Sequence, residues 1–151
     1  MSSTNRYLAV TAFAALSVVA FATTAAATTV GGFSGHADNG SQATCVSENW
    51  NGVANNCSSS IRWNLPLAVA GNGNYQPNID VYVNGPASNV SCTVQGVAEA
   101  GTDFSNTGWV SPAQGNVNAD IVPGTVTVPT FGTLEAACVF SPGSVIHTVI
   151  W

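Results

Sequence analysis

The sequence contains side chains that can act in catalysis, so the first question is whether their spacing brings them together. A serine hydrolase needs a serine, a histidine and a carboxylate within reach of one another. The segment Gly32-Phe33-Ser34-Gly35-His36 departs from the Gly-x-Ser-x-Gly pattern of a nucleophile elbow. His147 alternates with Val145 and Val149, and this apolar setting favours a structural histidine with a backbone partner.

Carboxylates offer a second route to catalysis, because glycosidases place one on each side of the bond they cleave. Glu99 and Asp103 are the closest acidic pair, and they flank Gly101 in a segment typical of an exposed loop. The segment Asp38-Asn39-Gly40-Ser41 is too short for a calcium loop and lacks the glutamate that would complete one. We therefore predict a protein without enzymatic activity, with no catalytic residue, no metal ligand and no cofactor.

The chain has four cysteines, Cys45, Cys57, Cys92 and Cys138. Zinc sites typically pair cysteines about two to four residues apart, and no such pair occurs in this sequence. In an exported chain an even number of cysteines indicates disulfides, and four cysteines allow three pairings. We favour Cys45–Cys57, which closes a short loop in an early hairpin, and Cys92–Cys138, which joins two strands far apart in sequence.

Tryptophans and one arginine are the candidate binding residues. Trp50, Trp63 and Trp109 are able to form a platform against sugar rings, as in carbohydrate-binding modules built on β-sandwiches. Trp63 falls in the apolar register of its strand, so Trp50 and Trp109 are the candidate ligand-binding residues. Arg62 could clamp an anion through two hydrogen bonds, but we favour a structural arginine paired with an acid or with strand-end carbonyls.

These residues lie in a pattern of short strands. Prolines and glycines separate short runs that are rich in valine, isoleucine, threonine and aromatic residues. Apolar residues alternate along most runs, which predicts one buried face for each strand. About eight short strands in this length predict an all-β fold, a two-sheet antiparallel sandwich of jelly-roll or immunoglobulin-like type. The predicted strands are residues 48–55, 59–67, 78–84, 90–98, 108–111, 116–122, 125–128, 133–140 and 144–151.

Residues 1–27 have the features of a secretory signal peptide. Arg6 precedes an apolar core over residues 7–22, and the segment ends in Ala25-Ala26-Ala27. The core is shorter than the roughly 20 apolar residues of a membrane-spanning helix. We therefore predict a secreted protein, with the periplasm as the alternative location. In this protein we expect a flexible leader over residues 28–43 and the sandwich domain over residues 44–151.

The remaining chain of about 124 residues is acidic and nearly free of cations. It has no lysine, and Arg62 is its one arginine against seven acidic residues. Nucleic acids and anionic membrane surfaces are bound through clustered lysine and arginine, so we expect neither as a partner. A glycan or an extracellular protein is the kind of partner that remains.

Several motifs occur in a fixed order: an early cysteine, Gly-x-x-Asn, Arg-x-x-x-Pro-Leu, Val-Tyr-Val, Val-Ser-Cys-x-Val and a late strand cysteine. In this order the chain resembles a group of small exported bacterial proteins of unknown function. It departs from the group at Leu65, where the group has a cysteine. The resemblance implies a β-sandwich and an exported location and assigns no activity. The matching residues are Cys45, Gly52 through Asn55, Arg62 through Leu67, Val81 through Val83, Val90 through Val94, and Cys138.

Together these features predict a secreted, disulfide-stabilised β-sandwich protein with a non-catalytic binding or structural role. The first alternative is a carbohydrate-binding module that uses Trp50 and Trp109. The second alternative is a hydrolase or a small outer-membrane β-barrel, the latter because the alternating run from Val145 to Trp151 ends in an aromatic residue.

Overall fold

The computed structural model describes residues 27–112 and 117–151. These residues form thirteen antiparallel strands and two short 3₁₀ helices, Gly32–Ser34 and Gly40–Cys45. Residues 1–26 of the predicted signal peptide lie outside the described part of the chain, so the signal peptide stays a prediction. Within the two ranges, no helix has the length and apolar character needed to cross a membrane. The strands are β1 Thr29–Gly31, β2 His36–Ala37, β3 Val46–Asn49, β4 Gly52–Asn55, β5 Ile61–Leu67, β6 Gly73–Tyr75, β7 Asn78–Val83, β8 Val90–Val97, β9 Asp103–Asn106, β10 Val117–Ile121, β11 Val126–Val128, β12 Thr133–Phe140 and β13 Val145–Ile150.

The strands form two large sheets and one small one. Sheet 1 has the order β10-β7-β13-β4-β3, with β1 also paired to β13, and sheet 2 has the order β2-β5-β12-β8-β9. Strands β6 and β11 make the small third sheet. This arrangement confirms the predicted all-β, two-sheet antiparallel sandwich. The strands are more numerous than expected: β1, β2, β6 and β9, each two to four residues long, are not predicted, and the predicted strand 48–55 is the pair β3 and β4. The predicted strand 108–111 is wrong, because only Val110 pairs there, in a single bridge to Cys92.

Alternating apolar side chains hold the two large sheets together. In β7 the buried Ile79, Val81 and Val83 alternate with side chains that face outward. Strand β13, which buries Ile146 and Val149, lies in the interior of sheet 1. In sheet 2 the buried residues of β5, β12 and β8 lie directly opposite one another, so that whole rows face the core. Two of these rows are Ile61–Phe140–Val90 and Trp63–Cys138–Cys92.

Both predicted disulfides are confirmed. Cys45–Cys57 links the second 3₁₀ helix to the loop after β4, and Cys92–Cys138 joins the neighbouring strands β8 and β12. The other edge of Cys92 exchanges both backbone hydrogen bonds with Val110. Cys92 and Cys138 are therefore a non-hydrogen-bonded pair, which brings their Cα atoms to 4.1 Å. The loops of 12 and 46 residues correspond to about 3 and about 4 kcal/mol of stabilisation in the chain-entropy model.

Residues 28–43, expected from the sequence to be a flexible leader, are built into both sheets. Strand β1 pairs with β13 in sheet 1, and β2 pairs with β5 in sheet 2. Between them, the carbonyl oxygen of buried Gly32 accepts a hydrogen bond from the Trp63 indole at 2.8 Å. The segment holds its place through backbone pairing, which a sequence rich in glycine, serine and threonine does not reveal. The sandwich therefore begins well before residue 44.

Candidate functional site

Trp50 lies at the tip of a tight hairpin between β3 and β4. Asn49 and Gly52 are paired across the hairpin, so Trp50 and Asn51 make a two-residue loop, and the Asn51 amide donates to Asn49 Oδ1 at 2.8 Å. Gly52 has φ +128°, and a Cβ there would lie 2.2 Å from the Ile146 carbonyl oxygen. The loop leaves Trp50 91% exposed. The sequence predicts one strand over residues 48–55; the Asn51-Gly52 dipeptide is the hairpin signal that this prediction missed.

A polar cleft of about 490 Å³ opens beside Trp50 on the outer face of sheet 1. Its floor comes from three neighbouring strands, because outward-facing residues of β10, β7 and β13 lie side by side in the antiparallel register. Asp80 is directly opposite Thr148, and Asn118 on β10 lies diagonally across from Asp80 and lines the same cleft. The cleft therefore combines one aromatic wall with carboxylate, amide, hydroxyl and imidazole groups. Its lining residues are Trp50, Asn51, Asp80, Asn118, His147 and Thr148.

His147 connects the hairpin to the centre of sheet 1. The register of β13 against β7 shifts at this residue, which marks a β-bulge. Its Nδ1 atom lies 2.6 Å from the carbonyl oxygen of Asn51. Because a carbonyl oxygen only accepts, Nδ1 carries the proton, and Nε2 is left as an acceptor in the neutral ring. The predicted backbone partner of His147 is present, and it belongs to the loop that presents Trp50, while the ring lines the cleft.

On its other side Trp50 borders a smaller, mainly apolar notch of about 250 Å³. Phe33, at the middle of the first 3₁₀ helix, lines this notch together with Glu48 and Asn49. The Phe33 side chain is 45% exposed, so a second exposed aromatic side chain lies across this notch from Trp50. Sequence reasoning missed Phe33, because it lies in the segment interpreted as a leader.

The charge around the cleft is negative. Asp80 and Asp120 lie directly opposite one another on β7 and β10, both facing outward. Like charges in this position repel each other and any anion that approaches the same face. The cleft therefore disfavours anionic ligands.

Trp109 lies on the opposite side of the sandwich, over the outer face of sheet 2. It is 49% exposed, and the Arg62 guanidinium carbon lies 5.8 Å from its ring centroid. Arg62 Nε donates to Asn64 Oδ1 at 3.2 Å. Among the side chains that the structure describes, Arg62 has neither the acidic partner nor the strand-end carbonyl that we expected. Trp50 and Trp109 are thus not brought together, and Trp63 is buried, as its apolar register predicts.

The remaining candidate groups do not converge where they are described. Glu99 is exposed in the turn after β8, whereas the side chain of Asp103 lies outside the described part of the chain. His36 is exposed at the edge strand β2. Across residues 27–112 and 117–151, no three histidine, cysteine, aspartate or glutamate side chains form a group able to hold a metal ion.

Comparison with known proteins finds similarity only at the level of folds. No family model and no curated protein matches the chain. Similar solved structures include the Podospora anserina GH26-CBM35 β-(1,4)-mannanase, at 11% identity and TM-score 0.47, of which the chain covers 27%. A carbohydrate-binding module of Cellvibrio mixtus lichenase 5A, in complex with cellotriose, is 12% identical at TM-score 0.45 and is covered over 94% of its length.

A third structure, Arthrobacter globiformis T6 isomalto-dextranase complexed with panose, is 13% identical at TM-score 0.46. The chain spans about a quarter of this protein and of the mannanase, and each of the three matches covers 82% of the chain.

Proposed function

We propose that the chain is an exported, non-catalytic protein that binds a neutral carbohydrate in the cleft beside Trp50. The observation that carries this proposal is the exposure of Trp50 between a polar cleft and the apolar notch of Phe33. Export rests on the predicted signal peptide, residues 1–27.

A sugar ring has an apolar face of C–H groups and an edge of hydroxyl groups. The Trp50 indole offers a flat apolar surface that loses little conformational entropy on binding. Asp80, Asn118 and Thr148 supply acceptors and donors at the level of the cleft floor. An aromatic wall next to a few polar groups is the usual composition of a site for a small organic ligand.

The groups around the cleft favour binding over cleavage. Glycosidases use two carboxylates on either side of the scissile bond, whereas Asp80 and Asp120 lie side by side on one face of sheet 1 and only Asp80 lines the cleft. The negative pair of Asp80 and Asp120 selects against anionic sugars. A neutral glycan is therefore the ligand class that fits.

The test is to measure retention of the protein on a panel of neutral polysaccharides, α- and β-linked, by affinity electrophoresis, followed by calorimetry with the matching oligosaccharide. Stacking one sugar ring removes about 100 Å² of the Trp50 side chain from water, which is worth at most about 2.5 kcal/mol. Binding also carries ordering costs. We therefore expect Trp50→Ala to weaken binding by roughly ten- to fiftyfold.

Phe131→Ala is the matched control, because Phe131 is 82% exposed and lies outside the cleft, in the turn before β12. We expect this variant to bind as the wild type does. Since Trp50 contributes almost no buried surface, both variants should keep the wild-type unfolding free energy to within about 0.5 kcal/mol. The proposal is wrong if the wild type is retained on no neutral polysaccharide, or if Trp50→Ala binds as tightly as Phe131→Ala.

A further inference from the structure

We propose that the outer face of sheet 2 carries a second binding site, at Arg62 and Trp109, that takes the carboxylate of an acidic saccharide. This site shares no residue with the cleft beside Trp50 and has the opposite charge preference. It therefore does not rest on the proposed binding of neutral glycans.

The Arg62 side chain is held in one orientation by contacts on two sides. Asn64 Nδ2 donates to Asp38 Oδ1 at 3.3 Å, and this fixes the amide so that its oxygen faces Arg62. That oxygen accepts from Arg62 Nε at 3.2 Å. The guanidinium carbon lies over the Trp109 ring, 5.8 Å from its centroid, at the outer limit of a cation–π contact. Arg62 is thus ordered before any ligand binds, which lowers the entropic cost of binding.

These contacts leave the outer edge of the guanidinium unused. Of its five N–H groups, the one on Nε is taken by Asn64, and no described side chain accepts from the other four. Two terminal N–H groups in a plane match the two oxygens of a carboxylate. The neighbouring Asp38 carboxylate accepts from Asn64, and its backbone amide donates to the Arg62 carbonyl oxygen, so it does not occupy the guanidinium. The half-buried Arg62 is thus the one cationic group available for an anion on this acidic face of the described chain.

The floor and far wall of the site are suited to a hydroxylated ligand. A trough on the outer face of sheet 2 extends from Arg62 to the far strands, and it is lined by Arg62, Thr93, Gln95, Asn106, Gly108 and Trp109. The far wall carries the paired amides of Gln95 and Asn106. These amides can hydrogen-bond sugar hydroxyl groups while the carboxylate meets Arg62.

The size of the site sets the length of ligand that it can hold. The trough has a volume of about 230 Å³, below the roughly 300–1,000 Å³ of clefts that enclose drug-sized ligands. We therefore expect it to hold one uronic acid residue, within a chain whose neighbouring sugars extend over the surface.

The experiment is calorimetry on the purified protein, at low salt, with three acidic probes: oligosaccharides of galacturonic acid, alginate oligosaccharides, and glucuronic-acid-substituted xylo-oligosaccharides. The methyl ester of the best probe is titrated in parallel, since it keeps the shape and loses the charge. A short glycine-alanine peptide with a free C-terminus tests whether a bare carboxylate is sufficient. Arg62→Gln, Arg62→Lys and Trp50→Ala are measured with the best probe, after thermal unfolding has verified that each variant is folded.

We expect at least one acidic probe to bind, and its methyl ester and the Arg62→Gln variant each to weaken binding about 10- to 100-fold. Arg62→Lys keeps the charge and loses the planar fork, so its affinity should lie between those of the wild type and Arg62→Gln. Trp50→Ala should bind the acidic probe as the wild type does, and this separates the site from the proposed neutral-glycan cleft.

Four outcomes would overturn the proposal. The first is that none of the three acidic probes binds with a dissociation constant below about 10 mM. The second is that the methyl ester binds as tightly as the acid, and the third is that Arg62→Gln or Arg62→Lys binds as the wild type does. The fourth is that the peptide binds as tightly as the best saccharide, which would assign the site to protein C-termini instead.

Discussion

Asn55 provides a sharp test of how the sandwich is held together at one end. Its side chain is completely buried and makes three hydrogen bonds to the backbone. Asn55 Nδ2 donates to the carbonyl oxygens of Ser59, at 3.0 Å, and Phe140, at 2.8 Å. Asn55 Oδ1 accepts from the Cys57 amide at 2.8 Å. One side chain thus ties the first disulfide loop to the end of a central strand of sheet 2.

The expected cost of Asn55→Ala follows from these bonds. Each contributes about 1 kcal/mol net, and the buried Phe140 carbonyl oxygen loses its side-chain donor. The three bonds together with the small void predict a loss of about 3–4 kcal/mol in unfolding free energy. For a domain of this size that corresponds to a fall in Tm of roughly 10–15 °C.

The neighbouring Asn56→Ala is the matched control, because it removes the same atoms from an exposed side chain. Asn56 makes a single surface hydrogen bond, to Ser47 Oγ at 3.0 Å, so we expect a loss of at most about 0.5 kcal/mol. Urea unfolding of both variants, with the disulfides oxidised and tryptophan fluorescence as the signal, gives the two values. A difference between the variants of less than about 1 kcal/mol in unfolding free energy would show that the three hydrogen bonds of Asn55 do not hold this end of the sandwich together.

Two further substitutions test the packing of the short strands. Gly96→Ala places a Cβ 2.1 Å from the Thr127 carbonyl oxygen, and we expect a loss of about 2–3 kcal/mol in unfolding free energy because β11 is pushed away from β8. Gly71→Ala is the control, because no atom lies within 4 Å of its new Cβ, and it should leave the urea unfolding free energy unchanged. Equal stability of the two variants would contradict this prediction. Trp63→Phe removes the donor to the Gly32 carbonyl oxygen and should lower the unfolding free energy by about 2–3 kcal/mol. We also expect faster amide hydrogen exchange in β1 and β2. Unchanged exchange in these strands would show that this hydrogen bond does not anchor the segment.

The parts of the fold that the sequence predicts are those where side chains report burial. Strands β5, β7, β8 and β12 alternate apolar and polar residues because one face packs on the other sheet. Cys92 and Cys138 fall on the buried register of two such strands, so their pairing follows from the same pattern. The bounds of these strands differ from the prediction by at most two residues.

The short strands escape prediction because they are held by backbone hydrogen bonds. Strands β1 and β2 contain three and two residues, too few for a period of two to be visible. Strand β6 and the 3₁₀ helices have the glycine, serine and asparagine content of loops. Which edge such a segment joins depends on the shape of the assembled sheets, and that information is distributed over the whole chain.

The candidate site shows the same division between residue type and placement. Because tryptophan suits sugar rings, the sequence predicts Trp50 and Trp109 as ligand-binding residues, and both are exposed in the structure. Their separation onto opposite sheets depends on topology, which the sequence pattern left open between two sandwich types. Phe33 lines the notch beside Trp50 because the first 3₁₀ helix packs at this edge of the sandwich. Asp80 lines the cleft beside Trp50 because of the register between β7 and β13. Both placements depend on the assembled sheet.

The two proposed sites give the outer faces of the sandwich opposite preferences. On sheet 1, Asp80 and Asp120 repel anions beside Trp50, while on sheet 2 the ordered Arg62 attracts them beside Trp109. Because the packed core lies between the faces, one polymer strand cannot fill both sites by a straight path. The domain would then join a neutral chain on one face to an acidic chain on the other, and the effective concentration at the second site would raise its retention on a mixed polymer network. Because the sites share no residue, Trp50→Ala should weaken binding of the neutral oligosaccharide alone, and Arg62→Gln should weaken binding of the acidic oligosaccharide alone. On a network that contains both polymers, each variant should also lower the overall retention, because the avidity depends on both sites.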